Sequence, residues 1–239
     1  MQTLKTGWGR LVQFGFRLLY NELAFTYDAV SWAVSLGEWR AWGRAAITPL
    51  DAPPNAPILE LAHGPGHLQM ALRAAGYTPY GIDLSPYMGR IAAARLRRAG
   101  QPIRLARADA GRLPFPDSAF AGAVSTFPTA FILAPETLRE AYRVLRPAGR
   151  LVIVPTAQLT SGGIAKRGID LAYRLTGQSS STLQEHAEVA ANLPPGTVQH
   201  PKHVWETIAG RFKAAGFTLR PEMAIFQRSI AQVLIAQKG

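Results

Sequence analysis

The chain has 239 residues, of which 48% are hydrophobic and 17% charged, with a formal net charge of +11 and no cysteine. That length can bury a full core in one ordinary domain with an extension, and the composition is globular rather than disordered. The missing cysteine excludes disulfides, zinc–thiolate and iron–sulfur sites and thiol catalysis, while the charge favours an anionic partner or reflects an arginine-rich coding bias.

Residues 1–50 read as a helical N-terminal extension. Leu11, Phe14, Leu18 and Leu19 recur at helical spacing beside Arg10 and Arg17, and Tyr20, Phe25, Tyr27, Trp32, Trp39 and Trp42 follow. These aromatics either pack the extension onto the main domain or form a lid that touches a greasy substrate or a membrane. No apolar run reaches the length of a membrane span and no signal-peptide pattern is present, so the protein is expected to be cytoplasmic, with peripheral membrane contact through the basic, aromatic extension.

A proline-rich connector at 51–57 opens the main domain, 51–239. Strands are expected at 57–61, 78–82, 103–106, 122–126 and 150–154, separated by helices at 68–75, 85–99 and 135–145. The turn Pro147-Ala148-Gly149 is expected to stop the last of these helices. Residues 156–200 read as an insertion holding one helix near 165–175. A helix at 203–215 and strands at 217–220 and about 229–236 complete the chain, the last two forming a hairpin. Seven strands alternating with helices until the last pair predict an α/β fold, a doubly wound, mostly parallel sheet whose last strand is antiparallel. Ligands of such sheets bind beyond the carboxyl ends of the strands.

Three acids fall there: Glu60 near the end of the first strand, Asp83 at the end of the second and Asp109 after the third. The turn Ala62-His63-Gly64-Pro65-Gly66 follows the first strand and brings backbone N–H groups up to a ligand. An ionised Asp83 is placed to accept two ribose hydroxyls. A carboxylate at Glu60 would repel a pyrophosphate beside the turn and welcome an ammonium. Asp109 and the N–H of Ala110 suit the amino group and ring nitrogen of an adenine. The ligand implied is an adenosine with a cationic amino-acid arm and no phosphate.

Four ordered stretches resemble the class I S-adenosylmethionine (SAM)-dependent methyltransferases, in the branch containing quinone and other small-molecule enzymes: Glu60 to Gly66, Gly81 to Ser85, Ala108 to Phe120 and Leu138 to Leu151. The resemblance implies a Rossmann-like methyltransferase fold and SAM as cofactor. It assigns Glu60 to the methionine amino end and Ala62, His63, Gly64 and Gly66 to the turn under the methionine and ribose. Asp83 would hold the ribose, Leu84 and Met88 would lie near the adenine edge, and Asp109 and Ala110 would clasp the adenine. Thr126 and Phe127 would lie beside the sulfonium and the substrate. Ala62 stands where the family often has glycine and is accommodated if its φ stays negative. Ala148 interrupts the usual Pro-Gly-Gly turn, and Pro65 removes one N–H.

The implied activity is transfer of a methyl group from SAM to a small, apolar or aromatic acceptor by in-line displacement. The donor is already activated, so alignment and exclusion of water carry most of the catalysis. Of the five histidines, His63 and His186 are the preferred candidates for a general base; the others read as caps or surface groups. No metal site is expected, since no helical i, i+4 ligand pair is present. The arginines between Arg90 and Arg107 read as a solvated face, and the lack of aromatics among them argues against nucleic acid. Two other readings remain at this point: an NAD-dependent oxidoreductase, and a protein that binds SAM without turnover.

Overall fold

The computed structural model describes Ser35 and residues 37–160 and 202–239. The expected helices at 11–19 and 165–175 and the candidate His186 lie outside the described residues.

Helix α1 (Trp39–Arg44) and a 3-10 turn (Thr48–Leu50) lead to strand β1 (Pro57–Leu61). Helix α2 (His67–Ala74), β2 (Thr78–Asp83), α3 (Pro86–Arg98) and β3 (Leu105–Arg107) follow. Next come β4 (Phe120–Thr126), α4 (Pro135–Val144), β5 (Leu145–Val154) and β6 (Ala157–Leu159). Helix α5 (Lys202–Ala214), β7 (Phe217–Ile225) and β8 (Ser229–Lys238) close the chain.

The sheet order is β3-β2-β1-β4-β5-β8, with β7 on the far edge of β8. Strands β1 to β5 are mutually parallel, and β8 runs antiparallel to both β5 and β7. This is the doubly wound sheet expected from the sequence. Strand β6 adds an eighth segment but no eighth position: β5 pairs residues 234–237 of β8 and β6 pairs 229–231, on the same edge.

Alternation along the strands divides the core in two. Leu59, Ala123, Leu151 and Ile153 face one layer with Leu138 and Val144 of α4 and Phe212 of α5. Their neighbours Ile58, Val124, Val152 and Val154 face the other, with Trp42, Leu50, Leu68 and Leu72. Glu60 shares the parity of Ile58, so its side chain is delivered to the α2 face.

Local signals explain the helix ends. Ser85 caps α3 by accepting from the N–H of Met88, Pro86 takes the first helical position, and Arg95, Arg97 and Arg98 occupy the last turn. Pro135 opens α4 in the same way. The turn Pro147-Ala148-Gly149 is not outside the fifth strand, as expected, but inside it. Leu145 already pairs with Phe120 and Arg150 with Gly122, so the turn is an outward irregularity within β5.

The described part of the N-terminal extension is packed onto the domain. Trp39 stacks on Phe127 with ring centroids 3.9 Å apart, and Trp42 meets Phe127 edge-on at 6.2 Å. The indole N–H of Trp42 donates to Ser229 Oγ at 2.8 Å, and that hydroxyl donates to Glu38 at 3.3 Å. The extension is thereby tied to the start of β8.

Candidate functional site

At the carboxyl ends of β1 and β2, the turn 62–66 is held by Asp83. One of its oxygens accepts the N–H of Gly64 and the other the N–H of Ser85, both at 2.8 Å. These bonds fix the carboxylate plane and leave each oxygen a lone pair for a further donor. Gly66 has φ of 82°, and a Cβ there would come within 2.9 Å of Ala92, so this glycine lets α3 pack against the turn. Arg95 of α3 donates to the carbonyl of Pro65.

Ala62 departs from expectation. It takes φ of 58°, not a negative value. The turn imposes the left-handed conformation whichever residue occupies the position, and alanine adopts it at a cost of about 1–2 kcal/mol. Ala148 sits at φ of 61° for the same reason.

Glu60 is 2% exposed. Gln69 of α2 donates to its Oε2 at 2.7 Å and to the carbonyl of Tyr80 at 3.2 Å. Burial pushes the Glu60 carboxyl up to about 8, assisted by the nearby Asp83 and opposed by the bond from Gln69. Burial therefore works against the negative charge that the sequence places here. A cationic group brought alongside would favour it.

His63 is 3% exposed, with Nδ1 donating to the carbonyl of Gly64 at 2.7 Å. Burial lowers its pKa, which keeps the ring neutral. A Cβ on Gly81 would lie 3.0 Å from both the His63 ring and Gln69, so the three residues fill one space under the turn. That is the setting of a packed histidine.

The structure therefore brings Glu60, His63, Gly64 and Asp83 together. Leu84 follows Asp83 and is 63% exposed, while Met88 is buried. The N–H of Ala108 donates to the Asp83 carbonyl, which joins the third strand end to the second. Asp109 accepts the N–H of Gly111 at 2.8 Å, and Ala110 is buried. Thr126 ends β4, and Phe127, at φ of 50°, turns its ring onto Trp39. Among the described residues no group of three acidic or histidine side chains is placed to hold a metal ion.

Gln69 was not apparent as a site residue from sequence. A polar residue in an amphipathic helix reads as solvent-facing, and only the parity of Glu60 along β1 could have pointed to it. The clamp on the 113–117 loop was likewise not apparent from sequence. Glu140 accepts the Leu113 N–H at 2.7 Å, and Arg143 binds Glu140, Asp117 and the carbonyls of Leu113 and Phe115.

Residues 58–149 match the methyltransferase-domain family. Over 217 residues the chain is 32% identical to the demethylmenaquinone methyltransferase of Thermus thermophilus, covering 87% of this chain and 95% of that one. A Methanococcus maripaludis structure classed with the SAM-dependent methyltransferases superposes with a TM-score of 0.62 at 16% identity, over 92% of this chain and 94% of that one. The geranyl diphosphate C-methyltransferase of Streptomyces coelicolor, solved with S-adenosyl-L-homocysteine, gives 0.53 at 13% identity, over 83% and 78%. The structural likenesses speak for the fold, and the near full-length sequence match for the lineage. The chain thus belongs to the class I SAM-dependent methyltransferases, and its cofactor is S-adenosylmethionine.

Proposed function

We propose that this enzyme methylates a ring carbon of a demethylated naphthoquinol, the reduced form of a demethylmenaquinone-type acceptor. One observation carries the reading: the match to the Thermus demethylmenaquinone methyltransferase spans 95% of that protein, reaching beyond the cofactor-binding core. The Trp39–Phe127 stack past the end of β4 supports it as an aromatic wall against which a flat bicyclic ring could lie.

In this reading Glu60 meets the ammonium of the cofactor, the turn 62–66 supports the methionine and ribose, and Asp83 takes the ribose hydroxyls. Leu84 and Met88 border the adenine, Asp109 and Ala110 bind its edge, and Thr126 and Phe127 flank the sulfonium. The ring carbon donates an electron pair to the methyl carbon, the carbon–sulfur bond breaks, and its electrons neutralise the sulfonium. The ring then loses a proton and regains aromaticity. An oxidised quinone is electron-poor and cannot serve as this nucleophile, whereas a quinol, above all as its anion, can. The quinol oxygen supplies the push, so no histidine is needed to activate the carbon. Membrane contact through the N-terminal extension belongs to the same proposal, since a lipid quinone is met at a bilayer.

Methyl transfer from labelled SAM to demethylmenaquinone, run with and without a reductant, tests this. Label on the ring carbon only in the reduced sample is expected. Transfer to another acceptor class with none to the quinol would overturn it.

A further inference from the structure

We infer that Gln69 is a positioning residue that makes cofactor capture proton-linked: it holds the buried Glu60 so that the arriving ammonium is met by a carboxylate that gives up its proton on binding. The inference rests on the reading that Glu60 faces the amino end of the cofactor.

The geometry is that of a built clamp rather than a chance contact. Glu60 and Gln69 are 2% and 1% exposed. The two N–H groups of one amide tie β1 to β2, at Glu60 Oε2 and the Tyr80 carbonyl. Both partners are acceptors, which fixes the amide with its nitrogen toward them. Gly81 leaves the space in which the amide lies.

The surroundings decide the sign. His63 in the turn is neutral, α2 contributes the neutral Gln69, and Ser125 of β4 is spent on the Leu61 carbonyl at 3.0 Å. Arg95 of α3 reaches the turn at the Pro65 carbonyl. Asp83 from β2 acts on Glu60 in the direction that retains its proton. Burial and Asp83 thus favour the neutral acid, and Gln69 opposes them. An ammonium at Glu60 would reverse the balance, so the proton leaves as the cofactor binds.

The consequence is a pH-dependent affinity for any ligand with that arm. With the free carboxyl near 8 and the bound one ionised, affinity falls about tenfold per unit below pH 8, and about 50-fold between pH 8 and pH 6. Gln69 stabilises the ionised form in both states, so removing it weakens binding where the free acid is protonated and hardly at all where it is already ionised. A bond to a charged acceptor of this kind corresponds to about tenfold or more at pH 7. A merely structural residue would weaken binding equally at every pH.

Calorimetric titration of the full chain with S-adenosylhomocysteine, from pH 6 to pH 9 and in buffers of different ionisation enthalpy, tests the inference. Wild type should release close to one proton at pH 7. Gln69→Met should bind about tenfold more weakly there, with a deficit that shrinks toward pH 9. Glu60→Gln should release no proton and show a flat affinity between pH 6 and pH 8. A Gln69→Met deficit independent of pH, beside a normal wild-type proton release, would overturn the role of Gln69 and leave the site standing. Unchanged affinity and proton release in Glu60→Gln would overturn the site reading itself. Should Gln69→Met fail to fold, absence of proton release in the wild type would still refute the coupling.

Discussion

Replacing Ala62 by glycine should stabilise the protein, although it removes a methyl group from the centre of the site. Ala62 is held at φ of 58° between buried Leu61 and buried His63. For an L-residue with a Cβ that conformation costs about 1–2 kcal/mol, whereas glycine occupies it freely. Glycine gives back about 0.5–1 kcal/mol through the added freedom of the unfolded chain. The net gain is about 0.5–1 kcal/mol, a rise of roughly 2 °C in melting temperature for a chain of this size. Urea unfolding of the ligand-free protein at pH 7 reads it directly. Ala148→Gly, at φ of 61° in an exposed turn, should gain a similar amount away from the site. Gly66→Ala should lose about 2 kcal/mol or more, because left-handed strain adds to the 2.9 Å approach of its Cβ to Ala92. Destabilisation by Ala62→Gly with stabilisation by Ala148→Gly would refute the strain argument and show that the Ala62 methyl makes a contact of its own.

Three further outcomes follow from the same geometry. Between about pH 5 and pH 8 the folded ligand-free state keeps a proton on Glu60 that the unfolded chain has lost, so stability falls as pH rises. His63, whose pKa is lowered in the folded state, works in the opposite sense only below its ordinary value, so of these two groups Glu60 alone acts above about pH 6.5, on the order of 1 kcal/mol per pH unit. Glu60→Gln should flatten the slope of stability against pH between 6.5 and 8, and an unaltered slope would count against burial as its origin. Asp83→Ala removes the acceptor for two backbone N–H groups and the proposed ribose ligand, and should weaken S-adenosylhomocysteine binding about a hundredfold by calorimetry. Trp39→Ala should raise KM for the quinol while leaving cofactor affinity unchanged; equal losses in both would mean that the stack supports the cofactor side instead.

The sheet was legible in the sequence because its buried strands are short apolar runs closed by turn residues. Strand β1 has the expected bounds, 57–61, and Ser85-Pro86 marks the start of α3 as capping chemistry requires. The departures share a physical cause: each depends on a partner distant in the chain. Strand β6 is three residues long and is a strand only because β8 extends past the end of β5. The early start of β5 depends on the pairing of Leu145 with Phe120. Ala62 reads as an ordinary small residue until the turn it occupies imposes a positive φ. Trp39 and Trp42 allowed two readings, packing and lid, and both rings pack against Phe127. The acids at the strand ends were visible one by one. That Glu60 is buried under Gln69, with its pKa pushed up by that burial, requires the third dimension.

Glu60, Asp83 and Asp109 are proposed to seat a cationic, phosphate-free adenosine. A crystal structure of the full chain with S-adenosylhomocysteine tests it most directly. The ammonium is expected within hydrogen-bonding reach of Glu60, directly or through one water, the ribose hydroxyls on Asp83, the adenine amino group on Asp109, and the sulfur facing Thr126 and Phe127. An ammonium turned away from Glu60, or a ribose held elsewhere than on Asp83, would contradict it.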